Sequence, residues 1–155
     1  MPSNVTIIPS DSVRNFSVIF DSSLTMPDLI SSVSKSCLLS LRDLRRIRNT
    51  LDYTTAKTIA TSLIHSQADY YNSLFLNLPH SQLDGLQLSL NSAARAVSKT
   101  PRFAHISPAL KSLHWLKIDQ RIHYNILSVT YKTLQSRKPS YLHNFLQFNQ
   151  INCTR

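Results

Sequence analysis

The hydrophobic period of this chain changes once, near Met26. Upstream, residues 5–8 (VTII) and 13–20 (VRNFSVIF) are β-branched and aromatic, and Pro9-Ser10-Asp11-Ser12 between them is turn-like. That pattern predicts two short strands joined as a hairpin. Downstream, apolar residues recur at three- and four-residue steps, the spacing of one helix face. Ile30, Val33, Cys37, Leu41 and Leu44 define a first helix, with Pro27 suited to its opening turn and its end near Asn49. A second helix is expected from Thr54 or Thr55, where a hydroxyl can cap it. Its inward set is Ile59, Ala60, Leu63, Ile64 and Leu74, and it stops before Pro79.

Ser81 is expected to cap a third helix, which carries Leu83, Leu86, Leu90, Ala93 and Val97 on one face. Residues 100–118 read as a Pro-punctuated connector with a short helix over 108–113. A fourth long helix follows Asp119, both a cap and a favourable charge at the N-terminal dipole. Ile122, Ile126, Leu127, Val129, Tyr131 and Leu134 cover most of its girth. Only Arg121, Asn125, Ser128 and Lys132 form a polar strip, which predicts a helix in the middle of a bundle. Pro139 ends it, and 141–148 makes a short terminal helix.

The expected fold is therefore mainly α, a four- to five-helix bundle with a short N-terminal β-hairpin. The hairpin occupies 1–24, the helical domain 25–150, and a tail 151–155. The single glycine, Gly85, favours helices over hairpins, because tight turns with positive φ should be scarce.

Charge narrows the function. Seventeen Lys and Arg against eight acidic residues give a net charge of +9. Such a surplus suits a polyanion, most plausibly nucleic acid, and the bland alternative is a solvated basic face. On the first helix, Lys35, Arg42 and Arg46 project opposite the apolar stripe, with Arg45 flanking, at about 100° per residue. The cluster Arg42-x-x-Arg45-Arg46-x-Arg48 provides cations at the spacing that phosphate contacts along one helix face require. Arg95, Lys99 and Arg102 form a second basic line running into the connector, while Asn91 reads equally as a local structural group.

Other chemistry is sparse. Cys37 and Cys153 are too few for a disulfide framework and lack metal-ligand spacing, and Cys37 lies on an apolar stripe. The six His show no zinc-binding pairs. The N-terminal residues have no basic-then-apolar signal pattern, and no window reaches the length of a membrane span. An intracellular, non-secreted protein without a membrane role is expected, and the N-x-[ST] triplets at Asn4, Asn15 and Asn152 are chance matches. Asp69 and Asn72 are expected to cap or bridge helices rather than catalyse. Trp115 is expected as a buried anchor, base stacking being the lesser reading, with His114 bonded to a carbonyl. With one Gly, no G-x-S-x-G nucleophile turn exists.

Several short motifs share an order and spacing. They are Asp69-Tyr70-Tyr71-Asn72-Ser73-Leu74, Leu78-Pro79, Leu86-Gln87, Asn91-Ser92-Ala93-Ala94-Arg95, Thr100-Pro101-Arg102-Phe103, His105-Ile106-Ser107-Pro108 and Leu110-Lys111-Ser112-Leu113-His114-Trp115-Leu116. Val13-Arg14-Asn15-Phe16-Ser17-Val18-Ile19-Phe20-Asp21-Ser22-Ser23-Leu24 upstream and Lys138-Pro139-Ser140-Tyr141-Leu142 downstream extend the set. Over residues 13–146 the chain resembles the region just after the palm in LINE-type (non-LTR, jockey-like) retrotransposon reverse transcriptases. Two departures stand out: Ser17 where the family commonly has Gly, and Tyr71 where it usually has Cys.

The resemblance implies that 1–24 is the end of the palm and that the first helix is the first thumb helix, lying along the template–primer duplex. Polymerases of this kind hold two divalent metals on aspartates supplied from an aromatic-x-Asp-Asp turn. Here no two acidic residues are adjacent, there is no Glu, and the Asp are scattered. The expectation is a non-catalytic part of an RNA-directed DNA polymerase, with no metal, cofactor or catalytic residue. Its expected partners are an RNA or DNA duplex gripped at phosphates, the fingers and palm absent from this sequence, and a second copy by self-association. The alternatives are a helical protein–protein interaction module and an expressed retroelement remnant without selected function.

Overall fold

The packing is organised by the apolar stripe of α1 (Pro27–Ile47), whose Leu29, Ile30, Val33, Cys37, Leu41 and Leu44 are all buried. A computed structural model of the chain describes residues 12–15, 18–21 and 26–146. Asp28 in the first turn of α1 and Arg45 and Arg46 in its last turn oppose the helix dipole favourably. After a 3₁₀ turn, Arg48–Thr50, the chain re-enters helix at α2 (Tyr53–Ala60). The cap of α2 is Asp52, not the expected threonines. Its carboxylate accepts the N–H groups of Thr54 at 2.9 Å and Thr55 at 3.1 Å, and these bonds lower its pKa.

A π-helical turn, Thr61–His65, joins α2 to α3 (Ser66–Tyr70). The hydroxyls of Thr58, Ser62 and Ser66 each donate to the carbonyl four residues earlier, so they compete locally with the backbone ladder. The expected continuous helix up to Pro79 ends at Tyr70, and a 3₁₀ turn, Asn72–Phe75, follows. Phe75 rather than Leu74 is the buried side chain there.

Next comes α4 (His80–Ser98), two residues earlier than a Ser81 cap would place it. It runs parallel to α1, since Gly85 faces Ser34 while Arg48 reaches Ala96 and Val97. Gly85 packs against the Ser34 side chain. A Cβ there would lie 3.2 Å from the Ser34 hydroxyl oxygen. Leu90, Ala93, Ala94 and Val97 are wholly buried on the same seam. A fully buried Leu or Val contributes about 1.5–3 kcal/mol by leaving water, so this α1–α4 seam carries much of the stability.

The connector holds α5 (Ser107–Leu113) and then Trp115, which is buried with its ring edge-to-face on His65, centroids 4.5 Å apart. The bundle closes with α6 (Ile118–Ser136) and α7 (Ser140–Phe145). Gln87 of α4 accepts the Ile118 N–H at 2.9 Å and donates to Asn91 at 2.8 Å, which gives Asn91 a structural part. Asp119 lies in the first turn of α6 but does not cap it; Gln120 Oε1 accepts the Lys117 N–H at 3.2 Å instead.

The fold is a mainly α bundle. Two further expectations are corrected. First, α6 is not central: only Ile118, Ile122 and Thr133 are buried, and Tyr124, Leu127, Val129 and Tyr131 are exposed. Only its first turns reach the core. Second, positive φ is not scarce: Met26, Asn77, Lys99, His114 and Arg137 adopt it without being glycine. Lys99, His114 and Arg137 do so at the C-terminal ends of α4, α5 and α6, where glycine is usual. At the N-terminal end, β1 (Ser12–Asn15) pairs antiparallel with β2 (Val18–Asp21), so the strand expected over 13–20 is divided in two. Residues 5–8, 147–148 and 151–155 lie outside the described residues.

Candidate nucleic-acid interface

The outer face of α1 carries Lys35, Leu39, Arg42 and Arg46 along one line, all exposed. Asp43 sits 3.5 Å from Arg46, with both side chains solvated, so that ion pair is weak and leaves Arg46 free to exchange partners. Arg45 turns instead toward α4. There a groove of about 660 Å³ runs between the two helices, lined by Leu38, Arg45, Leu88, Ser92, Arg95, Ala96, Thr100 and Arg102. The two basic lines that were separate in sequence thus converge: Arg45, Arg95 and Arg102 share one groove, and Lys35, Arg42 and Arg46 lie on the outer face of the helix that forms one wall.

Parallel packing of α1 on α4 produces this convergence. Both helices end at the same side of the bundle, so the last turn of α1 and the connector after α4 become neighbours. Lys99, the left-handed cap of α4, is exposed at that end but does not line the groove. Arg95 has a second task. One of its terminal nitrogens donates to Pro101 O at 2.7 Å and to Ala104 O at 2.8 Å, bracing the connector. Fewer of its donors are therefore left to face the groove.

Arg48, grouped with the cluster by its spacing, does not belong to the surface. It is buried, and its guanidinium donates to Ala96 O (3.0 Å), Leu51 O (2.9 Å) and Val97 O (2.6 Å). Ala96 and Val97 belong to the last turn of α4, whose carbonyls have no helical partners and carry the negative end of the dipole. The signal was present in the sequence, because Arg48 continues the buried line Cys37, Leu41, Leu44 at the same four-and-three spacing.

A second polar assembly holds α3 to α6. Arg121 forms a two-pronged ion pair with Asp69, and Asn72 Nδ2 donates to Arg121 O at 3.1 Å. Asp69 and Asn72 therefore bridge helices. They line a cavity of about 280 Å³ with His114, Leu116, Arg121, Tyr124 and Asn125. His114 is a left-handed cap whose backbone N–H bonds Lys111 O. Beneath lies His65, which sequence reasoning missed. Burial, then the neighbouring Arg121 charge, lowers its pKa to about 4, against an opposing pull from Asp69. Cys37 is likewise inert: burial raises its pKa to about 11, and its thiol donates to Gln67 Oε1 at 3.3 Å.

Among the described residues no group of three His, Cys or acidic side chains is placed to hold a metal ion, and no helix is long and apolar enough to cross a membrane. No family model, curated protein or solved structure matches the chain.

Proposed function

We propose that this chain is the thumb-type, non-catalytic part of a LINE-type retrotransposon RNA-directed DNA polymerase, contacting a nucleic-acid duplex at its phosphates without reading sequence. The observation that carries this reading is the convergence of Arg45, Arg95 and Arg102 on one groove beside the Lys35/Arg42/Arg46 face. Phosphate binding needs several mobile cations on one continuous surface, and the bundle supplies that. The ordered motifs over 13–146 are what support this family reading.

Salt dependence tests it. Four contacts from Lys35, Arg42, Arg45 and Arg46 give a log–log slope of affinity against salt of roughly −3 to −4, the same for unrelated duplex sequences. Alanine at Arg42, Arg45 and Arg46 together should flatten that slope by about 3. Salt-insensitive binding, or a triple variant that binds like the parent, would overturn the reading.

A second reading, self-association as an interaction module, rests on α6. Its exposed Tyr124, Leu127 and Tyr131 repeat at three and four residues, the spacing of a helix–helix seam. Sedimentation equilibrium decides it: a mass that stays monomeric up to high concentration removes this reading.

A further inference from the structure

The connector after α4 contains a small built feature. Ala104 N–H donates to Pro101 O at 3.2 Å, closing a four-residue turn, and Arg102 and Phe103 occupy its two corners. Arg95 clamps the same turn from below through the carbonyls of Pro101 and Ala104, its first and last residues. Proline at the first position presets the chain direction entering it. The turn is thus tied at both ends, and its two central positions carry a cation and an aromatic ring, both exposed. Phe103 is 98% exposed, the most exposed of the large apolar side chains in the described residues. The ring therefore contributes no apolar burial to the bundle.

Its neighbour Arg102 lines the basic groove, and Phe103, the next residue of the same turn, stands outside that lining and fully in solvent. A held, exposed aromatic next to cations is the combination that proteins use to stack on an unpaired base, since every base has a π-face and the adjacent phosphates need neutralising. We propose that Phe103 is a base-stacking residue, receiving an unpaired base where a duplex lying on the α1–α4 face gives way to single strand. The proposal rests on the duplex-contact reading above and makes the ligand more specific: a duplex with a single-stranded overhang rather than a blunt duplex. Arg45 and Arg102 hold phosphates on either side of the junction, and Arg95 positions the ring by fixing the turn.

The full chain would be titrated against two labelled duplexes of equal phosphate number, one blunt and one with an overhang carrying 2-aminopurine at its first unpaired position. The wild type should bind the overhang duplex about tenfold more tightly, within the range that one base–aromatic stack contributes, and should change the 2-aminopurine fluorescence. Phe103→Ala should abolish both the preference and the fluorescence change while leaving the salt slope intact, because Phe103 bears no charge. Phe103→Trp should restore both. Since the ring touches no core, these variants fold as the parent does, which a thermal melt checks. If Phe103→Ala keeps the preference and the signal, the stacking proposal fails while salt-dependent duplex binding stands. If neither duplex is bound, both readings fail together, and the exposed ring belongs to a protein partner.

Discussion

Truncating Arg48 to alanine should destabilise the bundle severely, although every neighbouring arginine can be lost at little cost. Three hydrogen bonds leave the guanidinium for main-chain carbonyls, two of them in the last turn of α4. Hydrogen bonds from a charged group contribute about 1.5–3 kcal/mol each, but they are not additive, because water re-solvates part of the site once the side chain is gone. The carbonyls of Ala96 and Val97 nevertheless sit against the α1–α4 seam, where a methyl group supplies no donor. A loss of about 3–5 kcal/mol is expected, from three charge-assisted bonds counted less than additively together with the carbonyls left unsatisfied. In a domain of this length that corresponds to a fall in Tm of roughly 10 °C or more. Arg48→Lys keeps the charge but offers one nitrogen for carbonyls spread over two segments, and should recover less than half. Arg42→Ala, on the exposed face, should stay within about 0.5 kcal/mol of the parent. Urea unfolding followed by circular dichroism measures all three. An Arg48→Ala cost below about 1 kcal/mol, or complete recovery by lysine, would refute the idea that this fork of donors staples α4 to α1.

Three further outcomes are expected. Lys99→Gly and Arg137→Gly should each stabilise the protein by about 0.5–1 kcal/mol, because removing Cβ strain in the left-handed region outweighs glycine's greater unfolded-state freedom, and Lys99→Ala should bring no gain. His65, whose folded pKa is about 4, binds its proton more readily when unfolded. Its contribution is therefore complete above the unfolded pKa near 6.5 and is lost as pH falls from about 6.5 to 4, roughly 3 kcal/mol over that window; His65→Phe should flatten the acid limb of a stability–pH curve, and an unchanged limb would contradict the assignment. Trp115→Ala should cost about 3–5 kcal/mol in urea unfolding while leaving the salt slope of duplex binding unaltered.

Much of the fold was legible because burial follows period. The stripe of α1 and the α4 set Leu83, Leu86, Leu90, Ala93 and Val97 are buried as their spacing predicts. The failures have physical causes. Capping depends on where the chain turns: Asp52 accepts the Thr54 and Thr55 N–H groups, so the threonines lie inside the helix that they seemed to start. Composition also misled on turns. Glycine scarcity does not remove left-handed helix ends; it forces lysine, histidine and arginine to occupy them at a cost of about 1–2 kcal/mol each. The girth of apolar residues on α6 promised burial on all sides, yet period alone cannot say how many neighbours a helix has. Ile118 and Ile122 meet the core at one end, and Leu127 and Tyr131 extend beyond it.

The basic residues show the same limit more sharply, and here it bears on function. Sequence spacing places Arg42, Arg45, Arg46 and Arg48 in one cluster, but a cation becomes available to a polyanion only if no carbonyl claims its donors. Arg48 lies on the buried line and its guanidinium is committed to the end of α4; Arg95 lies at the groove and spends one nitrogen on the connector. Both act by shaping the surface that Arg45 and Arg102 present. The Arg95 clamp sets the turn that carries Phe103, and the Arg48 staple keeps the ends of α1 and α4 side by side, so that Arg45 and Arg102 line one groove. Positive charge on this bundle is thus divided between cations that hold the scaffold and cations that face solvent. Counting net charge cannot make that division. Only the second group should enter the salt slope, which is why that slope should report contacts from Lys35, Arg42, Arg45, Arg46 and, on an overhang duplex, Arg102, but none from Arg48.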